Sequence, residues 1–139
     1  MPDENSPHYA MTYWTINYKF GNIQFKGDVA TVSNFEVILE LNPKGSWLKK
    51  GKGTDELLVH EQMHFNTGLL CMKELLRREK EIEPQLTRKN FNEKLQKLFD
   101  DVLKKHKVMD EKYDNETDHS KNINQQLKWN QFFKEQLAL

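Results

Sequence analysis

The sequence has a single cysteine, Cys71, among its 139 residues. That excludes an intrachain disulfide and any multi-cysteine zinc site, and leaves Cys71 to be read as a buried helix residue. An excess of charge of one sign is missing too. The 21 basic and 21 acidic side chains cancel, which argues against a general nucleic-acid or anionic-membrane binder. No apolar run reaches the ~18 residues that suggest a membrane span. The N-terminal Pro2-Asp3-Glu4-Asn5-Ser6-Pro7 has neither the basic nor the apolar region of a signal peptide. On this ground the protein is either cytoplasmic or has had a leader removed.

What is present is polar but foldable. Mean hydropathy is -0.86 and charged residues make up 30% of the chain, yet aromatics reach 11% and include three Trp. A single domain over residues 1–139 is expected, with a small core and long solvated helices. Its first third carries β-type composition. Tyr9 to Phe20 is rich in aromatics and Thr, Gly21-Asn22 is a turn signal, and Ile23 to Val32 is broken at Gly27-Asp28. Phe35 to Leu41 alternates in part, with Glu36 and Glu40 on one face, before Pro43 and Gly45 close it. Three or four antiparallel strands follow from this pattern over residues 9–48. Residues 49–53, Lys-Lys-Gly-Lys-Gly, form a solvated loop or a flap over a site.

From Thr54 the pattern is helical. Thr54 is an N-cap, Asp55 and Glu56 suit the positive end of the dipole, and Pro84 stops a helix over 54–83. A second helix is expected over 87–109, with Phe91, Leu95, Leu98, Phe99, Val102 and Leu103 on one stripe. A polar segment at 110–120 separates it from a last helix ending near residue 137. The fold class is therefore α+β, a small antiparallel sheet packed on the first helix with two further long helices.

The first helix holds His60-Glu61-Gln62-Met63-His64, an HExxH string. Positions i and i+4 share one helix face, so both imidazoles can point at one ion, and neutral imidazole nitrogen is a good zinc ligand at about 2.0–2.1 Å. Glu61 sits about 100° around the helix, placed to take a proton from an activated water and return it to a leaving group. A catalytic zinc needs a third protein ligand. Position 70 is Leu, so the third His of an HExxHxxGxxH pattern is missing. Glu79, Glu81, Glu83 and Glu93 are nominal carboxylate candidates without a distinguishing neighbourhood. The segment Tyr113-Asp114-Asn115-Glu116-Thr117-Asp118-His119 is richer, and His119 is the foremost third ligand, with Asp114 or Glu116 as alternatives. Asp114 or Glu116 is otherwise expected to accept the free N–H of a ligating imidazole. Tyr113 is a candidate oxyanion donor, or simply a packed tyrosine. His8 and His106 are read as surface residues.

His60-Glu61-Gln62-Met63-His64-Phe65 resembles the HEQxHF helix of a bacterial family of predicted secreted zinc-dependent proteases, long listed as a domain of unknown function. Tyr113-Asp114, Thr117, His119, Gln125 or Gln126, and Trp129 are similar to that family's second block, with Ser120 where the family usually has Gly. The resemblance implies a zincin-like peptidase fold, Zn2+ on His60 and His64, Glu61 as catalytic acid/base, and His119 as third ligand. It also implies a secreted or periplasmic location. The expected function is thus zinc-dependent hydrolysis of a peptide or protein substrate, with an extended peptide along the edge of the Phe35–Leu41 strand. The alternative is a non-catalytic zinc-binding structural or interaction domain.

Overall fold

The computed structural model describes residues 5–138. It has an α+β fold. Six short strands come first: β1 (Ala10–Met11), β2 (Trp14–Lys19), β3 (Asn22–Lys26), β4 (Val29–Ser33), β5 (Glu36–Leu41) and β6 (Trp47–Leu48). They pair antiparallel in nested ladders, β1 with β6, β2 with β5 and β3 with β4. The expected first strand is therefore two, because the chain breaks between Met11 and Trp14, where the Tyr13 N–H donates to Ser46 Oγ at 2.9 Å. In the central ladder Trp14 pairs with Leu41, Ile16 with Leu39 and Lys19 with Glu36. The alternation holds on β2: Trp14 and Ile16 are buried while Asn17 is exposed.

Helix α1 (Asp55–Ile82) starts as expected, with Thr54 Oγ1 accepting from the Leu57 N–H at 3.1 Å. Pro84 falls in a 3-10 turn over Glu83–Gln85. Helix α2 (Phe91–Thr117) starts later and runs two turns further than the expected 87–109. The polar segment is helical because Asp110, Tyr113, Asp114 and Thr117 continue the i, i+3, i+4, i+7 spacing of α2 and face α1. The Thr117 hydroxyl bonds back to the Tyr113 carbonyl at 2.8 Å. Helix α3 (Ile123–Gln136) is capped by Asn122, whose side chain accepts from the Gln125 N–H at 3.1 Å.

The main core joins the sheet to both long helices through Trp14, Ile16, Cys71, Leu75, Leu98 and Val102. A second cluster, Leu70, Tyr113 and Phe133, ties α1, α2 and α3 together next to the motif. Cys71 is buried, and burial with the nearby Glu74 charge pushes its thiol up to about 12, so it is inert packing. Leu75 meeting Leu98 and His60 meeting Asp114 show that α1 and α2 run antiparallel. The first turns of α1 thereby face the last turns of α2. Among the described residues, no helix is long and apolar enough to cross a membrane.

Candidate metal centre

His60 and His64 project from α1 toward α2, both buried, with rings edge-on at 4.9 Å between centroids. Each ring is fixed through Nδ1. His60 Nδ1 lies 2.8 Å from Gln126 Oε1 on α3, and His64 Nδ1 lies 2.8 Å from Asp110 Oδ1 on α2. The Gln126 amide cannot turn, because its Nε2 donates to the Tyr113 hydroxyl at 2.8 Å and to Asn130 Oδ1 at 2.9 Å. Its oxygen is therefore the acceptor, and His60 donates from Nδ1. The Asp110 carboxylate is an acceptor likewise. Both imidazoles are thus held with Nε2 available, the arrangement that supports histidine ligands in metal sites.

Both Nε2 atoms meet Asp114. Its Oδ1 is 3.0 Å from His60 Nε2 and 3.1 Å from His64 Nε2, while its Oδ2 is 3.2 Å from His119 Nδ1. Burial alone would lower the His64 imidazolium, but the hydrogen bonds to Asp110 and Asp114 outweigh it and push it up to about 10. Burial would raise the Asp114 carboxyl, yet the bonds to His60 and His64 hold it far below the usual carboxylate range. The site therefore draws positive charge to the point where these atoms meet. His60, Glu61 and His64 offer ligand atoms all within 4.8 Å of one another, a group that could hold a metal ion. Glu61 is half-buried on the same helix, and the Thr12 hydroxyl donates to its Oε2.

Other expected site residues fall elsewhere. Tyr113 is fully buried: its hydroxyl donates to the His60 carbonyl at 2.8 Å and accepts from Gln126, and its ring stacks on His60 at 4.8 Å. It positions the His60 turn and does not reach the cleft as an oxyanion donor. Glu116 accepts from Trp129 Nε1 at 2.9 Å and not from an imidazole. Glu79, Glu81 and Glu83 sit at the other end of α1, about 22–28 Å from His64 at 1.5 Å per residue, and Glu93 begins α2 at that same end. His8 is not merely at the surface, since its ring lies 3.9 Å from that of His119. His106 is buried, its Nδ1 bonded to the Val102 carbonyl at 2.8 Å.

His119 stands in a turn of three left-handed residues, Asp118, His119 and Ser120, at φ 49°, 53° and 83°. Positive φ at Ser120 suits glycine, which accounts for the Gly that the resembling family has there. The turn is closed by His119 N–H to Asp114 C=O at 3.1 Å and Asn122 N–H to Thr117 C=O at 2.8 Å.

These groups open onto a cleft of about 1130 Å³. Its walls are residues 7–13, Gly51, Lys52, the first turns of α1 and the start of α3. The strand beside the site is β1, and the expected Phe35–Leu41 edge does not line it. Asp110 and Thr12 have no role in the sequence reading, and Gln126 enters it only as a match to the resembling family's second block. Asp110 had a signal, the i, i+4 pair Asp110 and Asp114, which matches the spacing of His60 and His64.

Residues 1–120 match the family model described as bacterial protein of unknown function (DUF922), and the chain belongs to that family. No curated protein and no solved structure matches it.

Proposed function

We propose that this protein is a zinc-dependent metallopeptidase in which Glu61 serves as general base and then general acid. The observation that carries this reading is the pair of Nδ1-anchored imidazoles, His60 and His64, beside a carboxylate at the floor of a peptide-sized cleft. Imidazole and carboxylate donors suit zinc, and the chemistry a zinc ion supplies when bound is polarisation of a carbonyl and acidification of water toward a pKa of about 7.

The chain's own residues do the rest. Thr12 holds Glu61 Oε2, which leaves Oε1 to take the proton of the attacking water and deliver it to the leaving amide nitrogen. The Lys49 N–H bonds the Tyr9 carbonyl at 2.7 Å, which sets the phase of the β1–β6 ladder. The peptide groups of Ala10 and Thr12 consequently point away from β6, and an extended substrate can pair with them. Apolar side chains on both walls, Tyr9 and Met11 facing Val59, Ile123 and Leu127, are exposed and suit the side chains of a peptide or protein.

A second reading has one observation behind it. Glu61 lies close enough to both imidazoles to be a ligand itself, which would close the site and make the domain a non-catalytic zinc binder. Glu61→Gln separates the two. In the peptidase, zinc uptake stays within about tenfold of wild type and peptide-library cleavage falls by roughly 10²–10⁴-fold. Equal cleavage by both proteins discards the mechanism.

A further inference from the structure

We infer that the third protein ligand of this metal site is the Asp114 carboxylate, and that His119 acts from outside as its positioning residue. The inference rests on the zinc reading above and goes beyond it by naming the ligand set. Tetrahedral ligands at about 2.0–2.1 Å from an ion lie about 3.3–3.4 Å apart. Asp114 Oδ1 already stands 3.0 and 3.1 Å from the two Nε2 atoms. Both rings spend their Nδ1 hydrogens on Gln126 and Asp110. Two imidazole Nε2 atoms and a carboxylate oxygen therefore converge on one point, a donor set that a cation between them would complete. His119 meets the other oxygen of Asp114, through Nδ1 at 3.2 Å, and its ring is 35% exposed against 1% and 9% for the helix histidines. Its ring packs against that of His8, tilted by 35°, and it fixes the Asp114 carboxylate, as hydrogen-bond partners of ligating carboxylates do.

Helix geometry supports the same assignment. Asp110 and Asp114 are one turn apart on α2, opposite His60 and His64 one turn apart on α1. The upper carboxylate of the pair takes His64 Nδ1 while the other takes both Nε2 atoms. A ligand carried on a rigid helix needs no loop rearrangement. His119 lies in a turn whose backbone is tied down by Asp114 and Thr117.

Zinc-loaded full-length protein, measured by X-ray absorption at the zinc edge and by competition titration against a chromophoric chelator, tests the inference. Two imidazoles per zinc are expected in the wild type. Asp114→Asn should weaken zinc binding by about 10³-fold or more, and His119→Ala by the roughly 10–100-fold typical of outer partners. Three imidazoles per zinc, with His119→Ala weaker than Asp114→Asn, overturn the assignment while the zinc reading survives. A wild-type protein that takes up no zinc overturns both. Circular dichroism of the zinc-free variants keeps loss of fold apart from loss of ligand.

Discussion

Replacing Tyr113 by Phe removes one oxygen atom at the junction of all three helices, and its effect separates a structural from a catalytic role. The hydroxyl makes two buried hydrogen bonds, to the His60 carbonyl and from Gln126 Nε2, each 2.8 Å long. The His60 carbonyl lies inside α1 and keeps its helix bond, so it is not orphaned. One N–H of Gln126 is left without a partner, while the other stays on Asn130. A net hydrogen bond contributes about 1 kcal/mol and an unsatisfied buried donor costs about 1–3 kcal/mol. The expected destabilisation is about 2 kcal/mol, or roughly 7 °C in Tm for a chain of this length. The freed amide also holds His60 Nδ1 less firmly, which should weaken zinc binding by about tenfold. Differential scanning calorimetry of zinc-free protein and a zinc titration measure the two effects. A variant that melts within 2 °C of wild type yet loses turnover would refute this reasoning and restore Tyr113 as a direct participant in the reaction.

Two further perturbations probe the packing that supports the site. Glu79 is buried in α1 with Oε1 unpartnered, and burial, reinforced by Glu83 against the opposing charge of Lys80, raises its carboxyl to about 7. The folded state therefore holds a proton that the unfolded chain has already released. This contribution to stability is full below about pH 4.5 and is lost as pH rises through about 7. Denaturant titrations from pH 5 to 8 should show wild type losing about 1–3 kcal/mol relative to Glu79→Gln, and parallel curves would remove the buried acid as the cause. Gly68, mid-helix in α1, should not tolerate even a methyl group. A Cβ there would stand 2.8 Å from Leu39 Cδ1 and 3.1 Å from Trp14 Cδ2. Gly68→Ala gains about 1 kcal/mol of helix propensity and should nonetheless lower stability by about 1–2 kcal/mol net through overpacking. A raised Tm would show that α1 and the β2–β5 ladder are not in such close contact.

The parts of the fold governed by local chemistry were legible. Thr54 and Pro84 bracket α1 because a side-chain acceptor and a missing N–H act within a few residues. The HExxH string needed only helical spacing to bring His60 and His64 onto one face. The strands were legible as composition but not as pairing, since the nested ladders depend on contacts between residues up to 38 positions apart, as in Ala10 with Leu48. The break at Thr12-Tyr13 leaves no local signature. Yet it bears on the cleft, because Thr12 in that break lines it and holds Glu61.

The harder failure lay at the end of α2. Asp110, Asp114, Asn115, Glu116 and Asp118 are weak helix formers or acids near the negative end of a helix dipole, and by propensity they read as a turn. Tertiary contact decides otherwise. Tyr113 fills the space between α1 and Phe133, and Asp110 and Asp114 are held by imidazoles across the interface. Once those two turns are helical, residue type stops being the guide to which side chain meets an ion. Histidine is the commoner zinc ligand, so a linear reading favours His119, whereas the inference of Asp114 turns on where the helix places its carboxylate. On the helix Asp114 stands opposite the two Nε2 atoms, while His119 begins past the last turn and meets only the outer oxygen of that carboxylate. The acidic turns that weaken the C-terminus of α2 in isolation are therefore the same residues that a cation on His60 and His64 would stabilise. Loading the metal should tighten the end of α2, and unchanged amide-exchange protection of residues 110–117 on adding zinc would refute this.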